Sequence, residues 1–306
     1  MGRYLDPKAD IVFKRIFGEH PHLLKSFLNA VLPLEDNQEI VSLKYLPVEQ
    51  IPVIPAFKRT IADVKCKDNQ GRVFIVEMQI EWTSSFKQRL LFGASQAIVK
   101  QLDKGNTYRL LEPVYGLGIV ADIFDSKHKL DWYHHYKLVK SSEYSEDVIK
   151  HLQLIFIELP KFPIQSPAEK KLKLLWLRFL REIDEKTTQV APELLDIPEI
   201  SQAITLSEEA GYSEGELNAY ESYWDAVRTE KTIMIDKYED GRADGLKEGM
   251  EKGIEKGRAE GLAEGMEKGI ETAKIEMAKA MLAQKIPLDT IATISGLSLD
   301  ILHQLS

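Results

Sequence analysis

The stretch IADVKCKDNQGRVFIVEMQIEW, residues 61 to 82, reads as two strands joined by a turn at Asp68-Asn69-Gln70-Gly71. In the second strand Phe74, Val76, Met78, Ile80 and Trp82 alternate onto one face, the core face, which leaves Glu77, Gln79 and Glu81 on the other. In the first strand Asp63 and Lys65 share a face. If Asn69, Gln70 and Gly71 form a three-residue loop with Gly71 left-handed, residue 68 pairs with 72, paired numbers sum to 140, and Asp63 lies opposite Glu77. Directly opposed carboxylates have side-chain roots about 5 Å apart and repel unless something sits between them. A divalent cation fits that place, because hard cations such as magnesium take oxygen ligands. The other reading is two solvated carboxylates on a half-exposed hairpin, and alternation by itself leaves both open.

Downstream, Ser84-Ser85 followed by Gln88 reads as a helix start, with Gly105 as its end. Arg89 and Gln96, seven apart, fall on one face of that helix. They read either as groups that address the carboxylates or a phosphate, or as a plain surface pair. Trp82, Phe86 and Phe92 read as core aromatics. PVYGLGIVADIF, 113 to 124, reads as a buried sheet strand, and its Gly116-Leu117-Gly118 as a strand fragment without a nucleotide loop. Upstream, Asp10 stands at the start of the first helix, either as a helix cap or as a further acidic group for the site.

The chain of 306 residues predicts about two units, and 44% hydrophobic with 29% charged residues is a globular composition. No apolar run approaches the roughly 18 residues of a membrane span, so no membrane partner is expected. Charges among the first residues and the single Cys66 point to a reducing cytoplasm, without disulfides or a cysteine-rich zinc site. The net charge of -8 is unevenly spread: residues 1 to 180 carry 26 basic and 21 acidic side chains, whereas residues 181 to 306 carry 14 and 27. The body is mildly basic, compatible with nucleic acid, and the tail is acidic. HExxH, GxSxG, GxxxxGK[ST] and a strand-to-helix GxGxxG are all absent, and His20, His22, His134 and His135 read as surface histidines.

In the tail, GRADGLKEGMEKGIEK at 241 to 256 and GRAEGLAEGMEKGIET at 257 to 272 match at 13 of 16 positions, with glycine at every fourth residue from Gly241 to Gly269. Helical pattern runs from about Ser213 through this repeat, although each glycine costs on the order of 1 kcal/mol against alanine. The repeat reads as a solvated spacer or as a self-association helix. Ser166-Pro167-Ala168-Glu169 is a helix start with a capping box, and three short helices are expected between 273 and 306. The turn in IATISGLSLDIL has helix-turn-helix character, read either as a DNA reader or as a packing module.

Asp63 followed by Glu77-Met78-Gln79 after a hairpin resembles the signature of PD-(D/E)XK nucleases. With PKADIVFKRIFG, LLKSFLNAVL, VEMQ, KQLDKGNTY and the glycine-stepped tail, the chain resembles the Rpn (YhgA-like) family of recombination-promoting nucleases and transposase-like proteins, densely over residues 7 to 125 and loosely beyond. The resemblance implies an α/β fold, a restriction-endonuclease-like mixed sheet flanked by helices, followed by an all-helical C-terminal region with a long helix. It implies a metal-dependent DNA endonuclease linked to recombination or transposition, with Asp63, Glu77 and the carbonyl of Met78 holding Mg2+ or Mn2+ and Gln79 placing the attacking water. Ala62 stands where the signature has Pro, and Gln79 where it has Lys. Gln79 can orient water but supplies no charge. Lys65 reads either as a substitute for that charge or as a solvated strand lysine. A nuclease-fold module that binds DNA or protein without cutting is the alternative. The expected organisation is a nuclease-like domain over 1–160, a helical connector over 161–212, the long helix over 213–272 with homo-oligomer contacts, and a short helical module over 273–306.

Overall fold

The computed structural model describes residues 3–35, 37–46, 64–102, 107–141, 148–162 and 172–305. Asp63, Gly105 and the Ser166–Glu169 helix start lie outside the described residues.

The quoted hairpin forms as its turn chemistry requires. Strands β2 (Val64–Asp68) and β3 (Val73–Gln79), which follow β1 (Leu43–Tyr45), pair antiparallel with Val64 opposite Val76 and Lys65 opposite Ile75, the expected register. Gly71 has φ 91°, which only glycine adopts without strain, and the Asp68 amide donates to the Arg72 carbonyl at 3.1 Å. Asp68 clamps the turn further: its carboxylate accepts from the amides of Gln70 and Arg72 and from Arg72 Nε.

Beyond the hairpin the chain crosses over through a helix, as parallel strands demand. Helix α3 (Phe86–Val99) follows the short helices α1 (Asp10–Phe13) and α2 (Pro21–Val31), and it leads into β4 (Val114–Val120), parallel to β3 with Glu77 beside Gly118 and Gln79 beside Val120. Strand β6 (Val148–Glu158) lies parallel to β4, and β5 (Tyr133–Val139) closes the far edge antiparallel to β6. Among the described residues the mixed sheet has the order β1-β2-β3-β4-β6-β5.

Helices cover both faces. On one, Phe74, Val76 and Met78 of β3 join α1, α2, α4 (Leu172–Glu182) and α6 (Pro198–Leu206) in a core that includes Phe17, Phe27, Trp176 and Phe179. On the other, Val73 and Ile75 pack with Val114, Val120, Phe156 and the Phe86, Leu90, Ala94 face of α3. The sequence-based picture of a half-exposed hairpin is therefore corrected: β3 is a central strand buried on both sides. Trp82 is corrected too. The strand ends at Gln79, so Trp82 is released from the alternation and packs on the α3 face, stacked on Phe124 at 4.3 Å between centroids. Phe92, expected in the core, is half exposed on the outer side of α3.

The compact unit that holds the sheet runs to Lys231 and includes α5 (Pro192–Leu195) and the first turns of α7 (Glu214–Ala283), whose Tyr220 is buried there. The second unit begins at Thr232. It contains the rest of α7, unbroken through the glycine repeat to Ala283, then α8 (Leu288–Ser295) and α9 (Leu299–Leu305). Ala278, Ile291 and Leu302 form a small core between these three helices, and Gly296, at φ 70°, ends α8. The first of the three short helices expected after residue 273 is thus the last part of α7.

Candidate active site

Glu77 lies near the C-terminal end of β3, the end at which ligands meet parallel strands in α/β sheets. Alternation places it on the α3 face beside Gly118, where it is only 4% exposed. Gly118 itself is a packing requirement. A Cβ there would stand 2.9 Å from Phe86 and 3.0 Å from Phe156, and one at Gly116 would stand 2.9 Å from Leu154 and 3.1 Å from Leu90. Helix α3 therefore rests Phe86 and Leu90 on bare backbone, and Arg89, between them in sequence, comes down over β3.

The guanidinium links the two site residues of β3. Arg89 Nη2 donates to Gln79 Oε1 at 2.6 Å, and Arg89 Nε lies 3.6 Å from Glu77 Oε2, an ion pair too long for a hydrogen bond. Gln79 in turn donates Nε2 to the Glu81 carbonyl at 2.6 Å. Its orientation is forced, because an arginine only donates and a carbonyl only accepts. Burial raises the Glu77 carboxyl by more than the charge of Arg89 lowers it, leaving it pushed up to about 7.

Glu77 Oε2 is buried without a hydrogen-bond donor. A carboxylate oxygen left in that condition is costly, and it fits a divalent cation, whose preferred ligands are such oxygens. Among the described residues no three His, Cys, Asp or Glu side chains converge. Met78 points into the opposite core, so only its backbone carbonyl is on offer to the Glu77 side.

The accessory candidates separate. Arg89 joins the site. Gln96, two turns further along α3, is half buried and hydrogen-bonds neither Glu77 nor Gln79. Lys65, opposite Ile75, shares the α3 face one rung from Glu77 and is half buried. Asp10 is corrected as a cap: Ala9 holds that position, and Asp10, the first residue of α1, pairs with Lys14 at 2.9 Å.

The histidines need a correction as well. His134 and His135 sit half buried on β5, bonded to Glu158 at 2.7 Å and to Gln153 at 2.9 Å. Glu158 is fully buried at the end of β6, in the same row as Gln79 and Val120, and also binds Lys161 and the amides of Phe124 and Asp125. That network fixes the 121–131 loop beside the site. Sequence reading missed it because Glu158 meets His134, Phe124 and Asp125 from 24 or more residues away.

No curated protein and no solved structure matches the chain. A family model does, that of the PD-(D/E)XK nuclease family transposases, over residues 7–236, which takes in the whole sheet, the Glu77 and Gln79 strand and α3. With three quarters of its length so matched, the chain belongs to the PD-(D/E)XK nuclease family of transposases.

Proposed function

We propose that the chain is a metal-dependent DNA endonuclease, in which Asp63 and Glu77 hold a divalent cation, Mg2+ or Mn2+, with the Met78 carbonyl as a further oxygen. The observation that carries this reading is the buried, donor-less oxygen of Glu77, two residues from Gln79 at the open end of a parallel strand. The register of the described hairpin, whose paired numbers sum to 140, supports Asp63 as the carboxylate opposite. When bound, the cation would lower the pKa of water and offset charge developing on the phosphate. Glu77 and Asp63 contribute the anionic oxygens. Gln79 contributes an amide that orients the attacking water by hydrogen bonding, and Arg89 contributes a guanidinium suited to a phosphate oxygen.

The substrate partner in this reading is DNA, and the setting is the cytoplasm. No helix among the described residues is long and apolar enough to cross a membrane. The glycine repeat of α7 is assigned to self-association, because Leu246, Met250, Ile254, Leu262, Met266 and Ile270 form exposed apolar rows beside glycines that touch nothing. A second reading, a non-cutting DNA- or protein-binding module, is favoured by one observation: both functional atoms of Gln79 are already bonded, to Arg89 and Glu81.

Nicking of supercoiled plasmid decides between the two. The endonuclease reading expects cleavage with Mg2+ or Mn2+ that disappears in EDTA and falls at least about a hundredfold in Asp63→Ala. Cleavage unchanged by either would refute it, and no cleavage with any divalent ion would leave the binding module.

A further inference from the structure

We propose that Arg89 is a built-in counter-cation that latches the site, competing with the divalent metal for Glu77 and keeping Gln79 out of use until it is displaced. This rests on the metal-binding reading of Glu77. Two observations and one electrostatic consequence supply the argument. Glu77 is buried, and the cation beside its free oxygen is the Arg89 guanidinium, 3.6 Å away. A metal on that oxygen would place two positive charges against a half-buried guanidinium, so occupancy by one raises the cost of the other. The same guanidinium takes Gln79 Oε1, the acceptor that a water proton would need, while Gln79 Nε2 is spent on Glu81.

One movement therefore changes both residues. Withdrawal of Arg89 frees the carboxylate oxygen and the amide oxygen together. Among the described residues little else holds the arginine side chain: Nε has no acceptor within hydrogen-bond distance, and the guanidinium otherwise lies 5.0 Å from the Phe86 ring centroid. A substrate phosphate offers two oxygens for bidentate pairing, which the 3.6 Å contact with Glu77 does not, so an incoming polyanion favours the open arrangement. In this account the arginine is a positioning residue, acting through Glu77 and Gln79.

The test is metal affinity, read without turnover. Mn2+ would be titrated calorimetrically into the full-length protein in the absence of DNA, for the wild type, Arg89→Met, Arg89→Lys and Glu77→Gln. The expected result is that Arg89→Met binds Mn2+ about tenfold more tightly than wild type, the scale of a close charge-pair coupling. Arg89→Lys, which keeps a charge but cannot bridge both residues, should tighten binding by a smaller factor. It also serves as the deciding variant if Arg89→Met does not fold, no tightening in it then overturning the latch. Unchanged or weaker binding in a folded Arg89→Met, with binding lost in Glu77→Gln, would overturn the latch and leave the metal reading standing. Absence of Mn2+ binding in every protein, wild type included, would overturn the metal reading and the latch with it.

Discussion

Two sets of glycines in this molecule obey opposite rules. Gly116 and Gly118 of β4 have no space for a methyl group, because Leu90, Leu154, Phe86 and Phe156 already fill it within 3.1 Å. The eight glycines from Gly241 to Gly269 on α7 have nothing within 4 Å. In the sheet, glycine lets a helix approach and so brings Arg89 to Glu77. In the tail, glycine lowers the stability of the helix that contains it, and among the described residues it meets no contact that would offset the loss. The sheet glycines are thus explained by packing within the first unit, whereas the tail glycines have no such packing among the described residues.

The largest expected effect breaks the first half of that comparison. Gly118→Val inserts three carbons between two buried rings and should destabilise the first unit by about 3 kcal/mol or more, measured by urea denaturation. It should also separate Arg89 from Glu77, since Phe86 lies one turn before Arg89 on α3. A loss below about 0.5 kcal/mol would mean that α3 does not depend on the bare strand.

An effect no larger, about 3 kcal/mol, comes from Glu77 itself. Its carboxyl titrates near the ordinary 4.5 when unfolded and is raised to about 7, chiefly by burial, when folded. Between those values the folded state binds more protons, so stability falls as pH rises from 4.5 to 7 and the loss is complete above 7. Glu77→Gln removes that portion of the slope in metal-free buffer. Parallel pH profiles for the variant and wild type would show that Glu77 is not held in a dry site.

These effects also mark how far the sequence could be read. The hairpin register was legible because turn residues and two-residue periodicity both act locally: Gly71 takes its positive φ, and Val64 pairs with Val76. Glu77 and Gln79 were legible as neighbours on one face for the same reason. The burial of Glu77 was not, because alternation with charged residues describes a strand with one wet face, and here α3 covers that face. Arg89 was legible only as one of a seven-apart pair. Which member reaches the site depends on where Phe86 and Leu90 meet Gly118 and Gly116, a tertiary fact that excludes Gln96. Trp82 and Phe92 were misplaced because strand length and helix orientation, unlike periodicity, are set by contacts distant in sequence. The same limit hid His134 and Glu158, which meet only across the β5–β6 ladder.

The smallest effect sharpens the second half of the comparison. Gly257→Ala places a methyl group where nothing lies within 4 Å, so in a solitary helix it should add about 1 kcal/mol of helix stability and raise helicity at high temperature. If instead the glycines are the contact surface for a second copy, the methyl group holds the partner helix away, as small residues permit close approach and larger ones prevent it. Sedimentation then shows a weaker assembly in the variant that circular dichroism finds more helical. A protein ending near residue 210 should in that case be smaller in stoichiometry than the full chain. The two signals moving in opposite directions would separate a docking helix from a spacer, for which alanine should raise helicity and leave assembly unchanged. The exposed Leu262 and Met266 argue for the docking helix, since a spacer selected only for solubility has no use for apolar residues repeated beside each glycine.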